Sequence, residues 1–348
     1  MGRSSTIAFR EASYELARCA VCGDADASEV AGPEELRQER ELLWQFHMRR
    51  LSPRTPPDRL VDRVAFSQPA VWRIVRCRTC GLVYRNPVEK RDALRETYAT
   101  DEIPDTAFQA LHRAQRYASR AQVRRLDRHL PRRGTGLEVG SYVGAFLAAA
   151  RESRWQFEGL DVNPRVNAFA RSLGYTVHDG DLEHFDPKRT FDVVAIWNTF
   201  DQLPDPDAAA RAVARLLAPN GVLAIRVPNG ECYAHWRARL GGRAAQALLA
   251  HNNLLTFPYR YGFSPASLER LLAGVGFRVE RVVSDVLVPT TDEWTRRWAR
   301  IESRVVKPLT KPWAPWFEIY ARKIPTDLPT SWDANQPAAY SISASGGQ

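Results

Sequence analysis

From Leu137 onward, short apolar runs alternate with amphipathic stretches. Runs such as "FDVVAIW" and "VLAIRVP" are apolar at nearly every position, as strands covered on both faces must be. Strands are predicted at 137–140, 157–161, 175–178, 191–197 and 221–227, with helices near 144–153, 164–173 and 207–217. Such alternation predicts an α/β fold, a parallel sheet with helices on both faces. An irregular insert is expected over 229–262, then a helix at 265–274 and a strand at 277–284. After a Trp- and Pro-rich excursion comes a last strand at 316–323.

The front of the chain is patterned differently. Residues 33–50, "PEELRQERELLWQFHMRR", open with Pro and acids and carry apolar positions at helical spacing, and "LSPRTPPD" stops that helix. Residues 70–84, "AVWRIVRCRTCGLVY", are β-rich and predict a hairpin. A long amphipathic helix over about 107–130 ends at Pro131. The division predicted is a module over 1–100, a connecting helix over 101–135 and an α/β domain over 136–325. The polar, small-residue tail 326–348 is expected to be disordered.

Composition narrows this only a little. The 348 residues are 44% hydrophobic and 26% charged, ordinary for a globular protein. No run approaches a membrane span and the N-terminus lacks a secretory pattern, so a cytoplasmic location is expected. Of the net charge of +9, residues 1–133 hold +7 (25 Lys and Arg against 18 Asp and Glu). That front could meet RNA, a membrane surface or an anionic substrate, although an Arg-rich solvated surface would look the same.

The cysteines do more. Cys19 and Cys22 in "CAVCG" pair with Cys77 and Cys80 in "CRTCG", two C-x-x-C-G knuckles whose four thiolates suit a closed tetrahedral Zn²⁺ site. A glycine after each pair lets backbone amides turn toward sulfur. The predicted helix 33–50 must then be an insertion within the zinc-binding module.

The segment "LEVGSYVGAFL" places an acid and two glycines between a strand and a helix, where nucleotide-type ligands bind. A dinucleotide would want G-x-G-x-x-G, and Tyr142 and Ala145 occupy two of those glycine positions. S-adenosylmethionine carries an ammonium and a sulfonium instead of a pyrophosphate, so an acid, Glu138, becomes useful while Gly140 and Gly144 keep the backbone low. Asp161 ends the next strand in "FEGLDVNP", suited to two ribose hydroxyls. Asp181 and Leu182 in "HDGDLEHF" could meet adenine, and "FDVVAIWNTFDQLPDP" ends where a methyl group should emerge.

With these motifs in order, residues 137–284 resemble a class I S-adenosylmethionine-dependent methyltransferase, departing from its E/D-x-G-x-G-x-G signature at Tyr142. The resemblance implies a Rossmann-like seven-stranded sheet, mostly parallel, whose last strand is antiparallel. It implies S-adenosyl-L-methionine contacts from Glu138, Gly140, Ser141, Tyr142, Gly144, Asp161, Val162, Asp181, Leu182, Trp197 and Asn198. The N-terminal knuckles followed by "GLVYRNP" further resemble a bacterial subgroup that methylates sugar nucleotides and other small molecules, in which the zinc is structural.

Many relatives carry a histidine after the fourth strand, and this chain has Asp201 and Gln202 there. A general base is therefore sought in Asp201 or in His251 of "AHNNLLTFPYRYGFS". The leading expectation is methylation of oxygen or carbon on a small, possibly phosphorylated acceptor. The alternative is an RNA methyltransferase gripping phosphates with the zinc module and "RAQRYASRAQVRRLDRHLPRR". A non-catalytic binding protein is a third reading.

Overall fold

The computed structural model describes residues 13–48, 72–94, 105–128, 134–249, 259–285, 304 and 314–324. The predicted tail 326–348 and His251 lie outside the described residues.

The chain's main sheet has seven strands: β6 (Thr135–Val139), β7 (Gln156–Asp161), β8 (Val177–Asp179), β9 (Phe191–Trp197), β10 (Leu217–Pro228), β12 (Phe277–Asp285) and β13 (Trp316–Lys323). Their order is β12-β13-β10-β9-β6-β7-β8. Pairing is parallel from β10 through β8, and β13 runs antiparallel to both its neighbours. This is the Rossmann-like methyltransferase sheet expected from sequence.

Alternation along β9 explains the layers. Val194 and Ile196 join one core face with helix α5 (Pro206–Leu216) and helix α7 (Pro265–Ala273). Val193, Ala195 and Trp197 join the other, against Val123 and Leu126 of helix α2 (Asp105–Leu126) and Phe146 and Ala149 of helix α3 (Ala145–Glu152). Residues 193 to 196 are fully buried, as a two-sided strand requires. The predicted connecting helix is therefore a core layer of the sheet. Helix starts follow local chemistry. Asn163 accepts backbone N–H groups of Arg165 and Val166 before Pro164 opens α4 (Pro164–Ser172), and Asp205 accepts from Ala208 at α5.

At the front, β1 (Tyr14–Glu15) pairs with β5 (Val88–Glu89). Strands β2 (Ala27–Ala31), β3 (Arg73–Cys77) and β4 (Val83–Asn86) form the expected β structure around the cysteines, and α1 spans Pro33–Met48.

The insert 229–262 departs from the sequence reading. It is not irregular, for it contains helix α6 (Gly230–Leu249), broken at Gly241, and strand β11 (Tyr261–Gly262). Strand β11 pairs with β4 through Tyr261–Tyr84 and Gly262–Val83, so the front module and the insert share one four-stranded sheet. Val75, Leu82 and Tyr84 join the same apolar cluster as Phe263 and the main sheet. The Arg and Gly content of "RARLGGRAAQ" hid the helix; partner strands distant in sequence supply what two residues of local propensity cannot.

The two parts meet at Gly230. Its N–H donates to the Phe263 carbonyl at 3.0 Å, and a Cβ there would sit 2.2 Å from the carbonyl oxygen of Gly262. That neighbour is backbone and cannot rotate aside. Gly230→Ala is expected to cost about 1–3 kcal/mol, read as a melting temperature lowered by several degrees; an unchanged melt would show that this seam is loose.

Candidate functional site

The carboxyl edge of the sheet collects the motif residues. After β6 the chain bends through Gly140 (φ +73), Tyr142 (φ +46) and Gly144 (φ +69) into α3. Gly140 and Ser141 donate to the Leu160 carbonyl at 2.8 and 3.3 Å, tying the bend to β7. The tyrosine in the middle-glycine position adopts a left-handed backbone that a side chain disfavours. Its N–H donates to Asp161 Oδ2 at 2.9 Å, while its ring packs in the cluster of Phe108 and Leu111 on α2.

Asp161 is fixed on its other side by the Asn163 N–H, at 2.9 Å to Oδ1. Burial raises its pKa, opposed by these amide donors. Glu138 is 5% exposed and its pKa lies well above the usual carboxylate range, first through burial and second through the charge of Asp161. Glu138 thus feels the charge of Asp161 on the adjacent strand. Glu138 Oε2 and Ser141 Oγ have no hydrogen-bond partner among the described residues. Unsatisfied buried acceptors beside two low-lying glycines fit a cationic, donor-rich ligand such as S-adenosylmethionine.

Other expected contacts divide. Val162 is 46% exposed beside Asp161, open to cover a ring. Asp181 accepts the His184 N–H at 3.0 Å and pairs with its Nδ1 at 2.6 Å, so part of its capacity serves its own turn. Leu182 is buried in the sheet core. Trp197 is buried beside Phe146, with ring centroids 5.4 Å apart. Asn198 stands at the β9 exit with φ +57.

Asp201 lies in the one-turn helix Phe200–Gln202 and is fully buried. Burial lifts its pKa well above the usual range, against the opposing charges of Arg226 and Arg85. Neither carboxylate oxygen has a hydrogen-bond partner among the described residues. Around it the front module contributes buried Arg85 and Glu89, 3.9 Å apart. Arg260 adds backbone links at 3.0 Å to Asp201 and 3.1 Å to Arg85, and its Nη2 donates to the Glu89 carbonyl at 2.9 Å.

The four knuckle thiols converge. Cys19 and Cys80 Sγ are 3.3 Å apart, Cys22 and Cys77 3.5 Å, and all four lie within 4.8 Å. Tetrahedral Zn²⁺ with Zn–S of about 2.3 Å needs sulfurs about 3.8 Å apart, so the set fits. Gly23 and Gly81, at φ +72 and +76, donate back to the carbonyls of Cys19 and Cys77 in matching turns. Cys232 is buried elsewhere, on α6.

Sequence reasoning missed Asn167, a buried side chain that donates to the Asp161 carbonyl at 2.9 Å and to Asp179 Oδ1 at 2.7 Å. It also missed Thr199, Arg85, Arg226 and Arg260. Only Arg226 left a trace, as a lone charge within "VLAIRVP".

Because burial and Asp161 raise the pKa of Glu138, folding retains a proton between the ordinary and the raised value. Stability should therefore fall as pH rises through that window. Ligand-free Glu138→Gln is expected to melt above wild type near about pH 8, with the gap closing toward about pH 4, where both forms are neutral. Its affinity for S-adenosylmethionine should drop about 10- to 100-fold. Equal melts at both pH values would refute the strained carboxylate.

Residues 110–282 match a family model described as a methyltransferase domain. A ubiquinone biosynthesis O-methyltransferase of Xanthomonas oryzae pv. oryzae (strain PXO99A) is 28% identical over 176 residues, covering 48% of this chain and 70% of its own length. The enzyme of the same name from Nitrosospira multiformis is 23% identical over 197 residues, 54% and 80% of the two chains. A solved S-adenosylmethionine-bound amino pentose methyltransferase from Micromonospora echinaspora is 16% identical, covering 62% of this chain and 96% of that one, with a TM-score of 0.42. The matched span holds the glycine bend, both carboxylates and the exit of β9, and with the strand order it establishes that the chain belongs to the class I S-adenosylmethionine-dependent methyltransferases.

Proposed function

We propose that this enzyme methylates oxygen or carbon of a small polar acceptor, with a sugar nucleotide or related glycan or secondary-metabolite precursor as the leading class. One observation carries the reading: the wall beside the β9 exit is built from Asp201 and Arg260 together with Arg85 and Glu89 of the front module, all buried. Charged groups buried at such a seam favour a hydroxyl-rich partner over an apolar one. The ubiquinone-pathway relatives are named for O-methylation, which agrees with transfer to oxygen.

Residue roles follow from chemistry. Glu138 and Ser141 would hold the ammonium-bearing end of S-adenosylmethionine, Asp161 its ribose, and Val162 and Asp181 the adenine edge. The bound cofactor supplies a methyl group on a sulfonium and departs as the neutral thioether. Asp201, the described candidate base, would take the proton that the acceptor hydroxyl releases as its new O–C bond forms. Four thiolates leave no open position on a zinc ion, so a metal at Cys19, Cys22, Cys77 and Cys80 would be structural. No helix among the described residues is long and apolar enough to cross a membrane.

The arginines of α2 weigh against RNA. Arg116 and Arg120 engage Glu152, and Arg125 engages Glu318, so three charges serve the enzyme's own carboxylates.

Calorimetry with S-adenosylmethionine, followed by methyl-transfer assays on nucleotide sugars, catechols and RNA, tests the reading. Saturable binding with transfer to a nucleotide sugar is expected; no cofactor binding, or salt-sensitive transfer to RNA alone, defeats it. Asp201→Asn should lower turnover about 10²- to 10⁴-fold. Wild-type turnover should fade as pH drops through a value above the usual carboxylate range, since a base must be ionised. Metal analysis should find one zinc per chain, and a chelator should lower the melting temperature; metal-free protein with an unchanged melt would refute the four-thiolate site.

A further inference from the structure

The β9 exit touches the cofactor bend at one side chain. A Cβ added to Gly140 would lie 2.2 Å from Thr199 Oγ1 and 2.9 Å from its Cβ, so Thr199 fills the space that the glycine leaves. Any rotation of the exit turn would therefore press on the bend or withdraw support from it. Thr199 follows Asn198, whose left-handed backbone turns the chain away from the sheet.

Arg226 holds that turn at two points. Its carbonyl accepts the Asn198 N–H at 3.0 Å, and its Nη1 donates to Asn198 Oδ1 at 2.6 Å. Arg226 is 4% exposed, and its guanidinium stands 4.6 Å over the Trp316 ring and 4.0 Å from Glu318. Glu318 is itself fully buried, gripped by both Arg125 Nε and Nη2 from α2, and it accepts the Tyr320 hydroxyl at 2.8 Å. Asp201, in the one-turn helix that follows, also feels the charge of this guanidinium.

A guanidinium within a strand buried on both sides is costly unless every charge near it is matched. An aliphatic residue would pack there without that cost. The matching set runs unbroken from the sheet-covering helix, through the antiparallel strand, to the turn that supports Gly140.

We propose that Arg226 is a positioning residue for the cofactor site: through Asn198 it sets the 198–199 turn against Gly140, with Glu318 and Arg125 as its anchor. The proposal rests on reading the Gly140 bend as the S-adenosylmethionine cradle. It differs from a purely stabilising role, in which Arg226 and Asn198 would act on folding independently of the ligand.

The test is a double-mutant cycle on the full chain, read by calorimetry with S-adenosylhomocysteine and by thermal melts. Arg226→Gln and Asn198→Ala should each weaken binding about tenfold, and the double variant should be no more than about twofold weaker than either. Arg226→Lys keeps the charge but cannot span Asn198 and Glu318 together. It should recover most of the melting temperature while affinity stays low, and it replaces Arg226→Gln in the cycle if that variant does not fold. Additive losses, or wild-type affinity in variants with lowered melts, overturn the proposal alone. A wild-type protein that fails to bind S-adenosylhomocysteine overturns the methyltransferase site reading, and the proposal with it.

Discussion

Two carboxylates held at the ends of adjacent strands constrain the rest of this enzyme. Glu138 and Asp161 come from adjacent parallel strands, and each is held in a place where its charge is disfavoured. A fold optimised only for stability would put apolar groups there. Here the sheet's parallel register brings the two strand ends level, and the glycine bend lets neighbouring side chains, Thr199 at Gly140 and Tyr175 at Gly144, pack against its backbone. A cationic group placed beside them would favour the ionised form of both.

The front module has an architectural part in this. Its strand β4 adds to β11 of the insert, and its apolar residues run into the core of the main sheet without a break. The four thiols gather at the turn of the hairpin whose second strand carries Arg85. A metal there would fix the hairpin's geometry, and through it the distance between the module's charges and Asp201. Arg237 reinforces the arrangement from α6, donating to Glu39 at 2.7 Å and to the Val30 carbonyl at 2.6 Å. The surroundings of Asp201 are therefore assembled from segments more than one hundred residues apart in sequence.

Much of the scaffold was legible because its signals are local. Apolar runs and the paired C-x-x-C-G knuckles each act over a few residues. Boundaries shifted where propensity and pairing compete: β10 begins at Leu217, earlier than its apolar run suggests, because an irregular stretch up to Val222 still aligns with β9. The insert was misread for the opposite reason. Its strand is two residues long and exists because Val83 and Tyr84 are there to pair with it. The charged surroundings of Asp201 and the contacts of Arg226 were illegible on the same grounds, since each side chain gains its meaning from partners on other elements. Leu182 shows the converse, a motif position whose side chain the core has claimed.

Tyr142 has a consequence of its own. Where a glycine would leave the loop independent of its surroundings, the aromatic ring reaches across to the helix at 105–126, and the main-chain amide of the same residue holds Asp161. The orientation of Asp161 and the seating of that helix thus share a single pivot. A substitution at Tyr142 would therefore be felt both by the Asp161 carboxylate and by the helix that covers the sheet.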